Sequence, residues 1–157
     1  MPDVKSIAEL WLERVLHAYP PQSVEFLRRE RDPFRNPTGN RLRQAIEVLA
    51  GEVLTGADPA RAAEALDSVA QIRAIEDSAP SRALDFLFEL KPILREACPP
   101  AECDACFARI DAMALLAFDL YMKYRERTFE ARAHEAQRRL FVLQRRLAPQ
   151  ETAERTE

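Results

Sequence analysis

Apolar residues recur three and four positions apart through most of this chain, the spacing that places side chains on one face of a helix. In the first segment, residues 4–19, Ile7, Leu10, Trp11, Val15 and Ala18 share a face, and Pro20-Pro21 ends it. A short helix around 23–31 carries Val24, Phe26 and Leu27, followed by the turn-rich run Asp32-Pro33-Phe34-Arg35-Asn36-Pro37-Thr38-Gly39. Asn36 before Pro37 has the form of an N-cap with proline at the first helical position. It opens a third helix over 37–54 on Leu42, Ile46, Leu49 and Val53, which Gly56 ends. Asp58-Pro59 repeats the cap-then-proline pattern before Ala62, Ala65, Leu66, Val69, Ile72 and Ile75. Beyond Ser78-Ala79-Pro80-Ser81, a fifth helix holds Leu84, Leu87, Phe88, Ile93 and Leu94. A kink is expected at Pro92, where a backbone donor is missing.

The last segment differs. From 101 to 147 there is neither Pro nor Gly, which permits one helix of about 47 residues, roughly 70 Å long. Its first half carries a core-facing stripe of Phe107, Ile110, Met113, Leu116, Ala117, Leu120 and Tyr124. Between 125 and 139 Phe129 is the only large apolar side chain, and apolar residues return at Leu140, Phe141, Val142, Leu143 and Leu147. So small a domain cannot cover so long a helix, and its second half is expected to project and pair with another chain or lie on a partner. Leu140, Leu143 and Leu147, with Ile110, Met113 and Leu120 nearer the core, are the expected seam of a homodimer or its continuation. The expected architecture is all-α: one domain over 1–148, a bundle of five to six helices with a long C-terminal one, and a disordered polar tail over 149–157.

Composition agrees with helix and narrows the chemistry. The 157 residues include 25 Ala and 20 Arg against 3 Lys, and both Ala and Arg are strong helix formers. No apolar run approaches the ~20 residues of a membrane span, and no basic start leads into an apolar stretch. The expectation is a cytoplasmic protein without membrane contact. Only 3 Gly argue against a phosphate-cradling loop. No Ser-His-Asp order, H-E-x-x-H motif or prominent carboxylate pair is present, so no catalytic residue and no cofactor is assigned. His17 lies at a helix end and His134 in a solvated stretch, poor positions for a haem ligand.

Three features carry possible chemistry. Cys98, Cys103 and Cys106 are spaced C-x4-C-x2-C, a spacing met in iron–sulfur ligand sets, but a fourth cysteine is lacking. They read as ordinary thiols, as a redox-sensitive group in which a helix N-terminus lowers the thiol pKa of Cys103 and Cys106, or as a metal site completed by one imidazole. Arg73, Glu76, Asp77 and Ser81 offer the polar lining of an effector pocket, though capping by Ser78 or Ser81 explains the same run. Asp119, on an otherwise apolar helix, is expected to pair with Arg73 or Arg82. Residues 123–146 hold eight cations against three acids; with few interleaved aromatics this reads as the flank of a coiled coil, and no nucleic-acid partner is assigned.

Six stretches stand in order along most of the chain: Trp11, Tyr19-Pro20-Pro21, Phe26-Leu27, Asp32-Pro33-Phe34 with Asn36-Pro37 and Gly39, Arg73-Ala74-Ile75-Glu76-Asp77 with Ser78-Ala79-Pro80-Ser81, and Phe118-Asp119-Leu120-Tyr121-Met122 with Arg125-Glu126. Together they resemble the RsbRD N-terminal domain family, the sensory-type domain at the front of some RsbT co-antagonist proteins. The resemblance implies a non-enzymatic helical module that receives a signal and passes it down its C-terminal helix. It also implies a dimeric, globin-like packing without haem, as in the related RsbR proteins of the stressosome, and a regulatory partner such as a STAS protein or a switch kinase. The STAS domain that carries the phosphorylated residue in RsbR-type proteins is not within these 157 residues, so no phosphorylation site is carried over. The alternative reading is a thiol-based redox or metal sensor centred on the cysteines.

Overall fold

The computed structural model describes residues 3–76 and 78–147. Among them there is no strand; six α-helices of eight residues or more and one of five make the domain. In chain order they are α1 (Val4–His17), α2 (Pro21–Arg29), α3 (Pro37–Thr55), α4 (Pro59–Ile75), α5 (Pro80–Leu84), α6 (Leu90–Ala97) and α7 (Pro100–Leu147). A 3₁₀ turn over Asp85–Leu87 joins α5 to α6. The expected all-α bundle with a long last helix is what the chain forms. The disordered tail expected over 149–157 lies outside the described residues.

Local chemistry sets the boundaries. Asp3 caps α1 by accepting from the Ser6 amide at 3.1 Å, and Asp58 caps α4 by accepting from Ala60 and Arg61 at 3.1 Å each. Asn36 does more than cap. Its Oδ1 accepts from the Gly39 amide at 2.9 Å while its Nδ2 donates to the Leu27 and Glu30 carbonyls at 3.3 and 3.0 Å. This buried side chain therefore closes the start of α3 and the end of α2 together. Gly39 belongs to that arrangement, because a Cβ there would collide with the Asn36 amide. Gly56 ends α3 in the left-handed region, at φ 63°. Arg109 of α7 then donates to the freed carbonyls of Val53 and Leu54 at 2.7 and 3.1 Å, so a cation from another helix closes this C-terminus.

The core runs between α1, α3, α4 and the first half of α7, with α7 packed chiefly on α4. Trp11, Leu42, Leu49, Val53, Leu87, Leu94, Ile110 and Tyr121 are wholly buried. Of the residues expected on shared or core-facing faces, Leu10, Ala18, Ile75, Phe88 and Leu116 are exposed.

Pro92 does not kink a helix. It sits in the first turn of α6, where its absent N–H has no intrahelical acceptor to lose. The break expected at Pro92 occurs upstream instead, in the 3₁₀ turn and its flanks, so the expected fifth helix is two helices.

Candidate functional site

At the C-terminal end of α4, Tyr19, Glu76 and Phe86, from three parts of the chain, surround one guanidinium. Arg73 is 4% exposed, and its guanidinium carbon lies 4.9 Å from the Tyr19 ring centre and 5.8 Å from that of Phe86. Its Nη1 bonds the Glu76 carboxylate at 3.0 Å, and the other oxygen of that carboxylate accepts from the Tyr19 hydroxyl at 2.6 Å. Burial is the main cause that pushes the Tyr19 phenol well above its usual range, and its bond to Glu76 adds to the shift. Trp11 stacks on Phe86 and donates its indole N–H to the Phe86 carbonyl at 2.7 Å. From α7, the Tyr121 hydroxyl donates to the Ser78 carbonyl at 3.2 Å.

Trp11, Tyr19, Arg73, Glu76, Ser78 and Tyr121 all belong to the stretches on which the family resemblance rests, and they meet here although spread over 110 positions of sequence. The cluster ties the end of α1, the α4–α5 connection and α7 into one body. Of the four residues read as a pocket lining, Arg73 and Glu76 are brought together. Ser81 is exposed, and Asp77 lies outside the described residues. The N-cap of α5 is Ala79 rather than Ser78 or Ser81, with Pro80 as its first residue. Asp119 is not the partner of Arg73: it is exposed on the outer side of α7, while Glu76, three residues from Arg73, takes the ion pair. The aromatic partners of Arg73 had no local signature, since Tyr19 precedes it by more than fifty residues.

The cysteines lie at the α6–α7 junction, all three free and buried. The Cys103 thiol points at the Leu94 and Cys98 carbonyls, at 3.6 and 3.7 Å. Burial pushes the Cys98 and Cys106 thiols up, and Arg109 offsets this only in part at Cys106. For Cys106 this reverses the lowering expected of a helix N-terminus, because burial outweighs the helix end. Among the described residues, no group of three or more His, Cys, Asp or Glu side chains is placed to hold a metal. The expected chemistry is that of shielded thiols. In native protein at pH 8 they should react with a thiol-titrating disulfide at least about tenfold more slowly than free cysteine, and all three should react on unfolding. Rapid titration of the native protein would instead restore the redox reading.

The largest exposed feature is the outer face of α7. Ile110 is fully buried, and Met113 and Leu120 pack against the core, so none of the three lies on an outer seam as expected. A different stripe does. Ala112, Leu115, Asp119, Met122, Glu126, Phe129, Ala133, Ala136, Leu140, Leu143 and Leu147 follow one another in alternating steps of three and four. Every one except the half-buried Met122 is exposed, with Leu115 at 74%, Phe129 at 55%, Leu140 at 58% and Leu147 at 80%. Steps of 3.5 on average are the repeat of a two-stranded coiled coil. Every residue from 131 to 147 is exposed, so this part of α7 runs on beyond the bundle that covers its first half. Beside the seam, Pro59, Ala62, Leu66, Ala112, Met113 and Leu116 line an apolar recess of about 280 Å³.

These features define an all-α domain whose last helix outruns its own core. The chain belongs to the RsbT co-antagonist protein rsbRD N-terminal domain family, which matches residues 5–136. That family is a regulatory, sensory domain of stress-response signalling. No curated protein and no solved structure matches the chain. Among the described residues no helix is long and apolar enough to cross a membrane.

Proposed function

We propose that this chain is a non-enzymatic sensory module that works as a parallel homodimer and transmits its signal along α7 to a regulatory protein, such as a STAS protein or a switch kinase. The observation that carries this reading is the exposed 3–4 repeat from Ala112 to Leu147, half of it beyond the bundle. The apolar residues of this stripe, densest from Phe129 to Leu147, are stabilised by burial against a second helix.

Charge supports the parallel orientation. Arg125, Arg132, Arg139 and Arg146 flank the seam on one side, and Glu130, Gln137 and Gln144 on the other. In a parallel pair each arginine side faces the partner's Glu/Gln side. An antiparallel pair would set the arginine rows against each other, which like charges disfavour. The part-buried Tyr19–Glu76–Arg73 cluster sits where α4 ends, and two residues further on the Ser78 carbonyl accepts from Tyr121 of α7, which gives a change in the bundle a route to the helix that leaves it.

Cross-linking tests the orientation. In a parallel pair in register, cysteines at position 143 face one another closely enough for the ~4.4–6.8 Å Cα separation a disulfide needs. Leu143→Cys should give a covalent dimer on mild oxidation, while Arg138→Cys, on the back of the helix, should not. Failure of Leu143→Cys to cross-link would refute the parallel in-register pair.

A further inference from the structure

Away from the seam, about 130° around α7, a second surface runs along the same helix. The end of α4 and the start of the α7 extension form a groove of about 640 Å³, lined by Ala74, Ile75, Tyr124, Arg127, Ala131 and Arg132 among others. Beyond it the same side of α7 continues as open helix surface over Glu135, Arg138, Arg139 and Val142, bordered by the seam residue Leu143. The two share Glu135 and Arg139, so one surface runs from the α4 groove towards the tip of α7.

Its floor is apolar. Ile75 is 70% exposed there and Val142 47%, with Ala74 and Ala131 between them. Its walls are cationic. Arg127, Arg132, Arg138 and Arg139 stand along it with Glu135 as the one acid among its lining residues, and Glu135 is already bonded to Arg138 and Arg139. Arg127 is held over the Tyr124 ring at 5.7 Å, and Tyr124 in turn donates to Asp67 of α4 at 2.8 Å. The charge is local. Residues 123–146 carry eight cations and three acids, whereas residues 1–122 carry fourteen cations and twenty acids.

We propose that this trough docks an acidic amphipathic helix of a partner protein, its apolar face on Ile75, Ala131 and Val142 and its carboxylates on Arg127 and Arg138. The inference rests on reading the chain as a module that works through protein contacts. It does not require the dimer, because Arg127 and Arg138 lie off the seam and stay open in either state, and the docked helix makes no use of Leu143 or of Arg132 and Arg139, which enter or flank the seam. An apolar floor between cationic walls matches a helix with one apolar and one acidic face. A nucleic acid would meet the cations but leave Ile75 and Val142 uncovered.

The test is fluorescence anisotropy on the full chain with a labelled 20-residue helical peptide bearing leucines on one face and glutamates on the other. The same peptide with lysine for glutamate and a 20-base-pair DNA duplex are the comparisons. The acidic peptide should bind at least tenfold more tightly than either. Ile75→Asp and Arg138→Glu should each weaken it about tenfold, with circular dichroism and the mass in light scattering unchanged. Equal binding of the two peptides, binding indifferent to both variants, or tighter binding of DNA would each overturn the proposal. A monomeric mass with peptide binding intact would remove the proposed dimer and leave the trough standing.

Discussion

A chain ending at Arg125 is expected to run as a monomer in light scattering under conditions where the full chain runs as a dimer. The deletion removes Phe129, Ala133, Ala136, Leu140, Leu143 and Leu147, all exposed in the single chain. Each large apolar side chain buried in a seam stabilises association by about 1.5–3 kcal/mol. Four of them are lost from each chain, so the dissociation constant should rise at least about 10³-fold, equivalent to ~4 kcal/mol. The bundle should be untouched. Tyr121 is the last fully buried residue of α7, and Tyr124, bonded to Asp67 of α4, is retained. The thermal midpoint of the truncated chain, taken at low concentration, should therefore stay close to that of the dissociated full chain. An unchanged dimer mass would place the interface on the proximal seam, around Ala112 and Leu115, and overturn the role given to the extension.

The punctuation of the fold was legible because it is local. Asn36-Pro37 and Asp58-Pro59 announce the starts of α3 and α4 through residues that bond amides two or three positions away. Pro92 misled for the complementary reason: one proline looks the same in a first turn as in a helix interior, and only the upstream break decides which it is. The α7 faces were ambiguous because the helix is apolar on two sides. Ile110, Met113 and Leu120 have the spacing of a core-facing stripe and lie on one, but that stripe does not continue into the seam, because Leu140, Leu143 and Leu147 prolong the exposed line of Leu115 instead. The buried site was legible in its residue types and not in its pairings. Arg73 is held by Tyr19 and Phe86, and no spacing rule connects positions so far apart. Asp119, the acid that looked out of place on an apolar helix, is exposed to solvent in the single chain and needs no buried cation there.

Replacing Trp11 by alanine should remove most of the stability of the domain. Its side chain is fully buried, stacked on Phe86 at a centroid distance of 6.0 Å, and it satisfies the Phe86 carbonyl where the chain leaves α-helical geometry for a 3₁₀ turn. Two losses therefore fall on one substitution. Truncating a buried tryptophan costs about 3–5 kcal/mol in transfer and cavity terms. The orphaned carbonyl adds about 1–3 kcal/mol wherever water cannot reach it. A domain of this size has about 5–15 kcal/mol in total, so Trp11→Ala should lower the urea midpoint by a third or more. Trp11→Phe separates the two contributions, since it keeps a ring against Phe86 and loses only the donor and part of the volume. It should cost about half as much. The neighbouring guanidinium makes the effect visible beyond stability: Phe86 is also one wall of the Arg73 site, so a collapsed Trp11 cavity should loosen the Tyr19–Glu76–Arg73 contact. That loosening would appear as a fall of the Tyr19 phenol titration towards the ordinary ~10 of tyrosine. In the wild-type fold the raised phenol pKa adds stability that is fully present below pH ~10 and is lost as pH rises through the folded-state value. Trp11→Ala should have a smaller alkaline loss than wild type, with Trp11→Phe between them, and an alkaline profile of Trp11→Ala identical to wild type would show that Trp11 and the Arg73 cluster are not coupled.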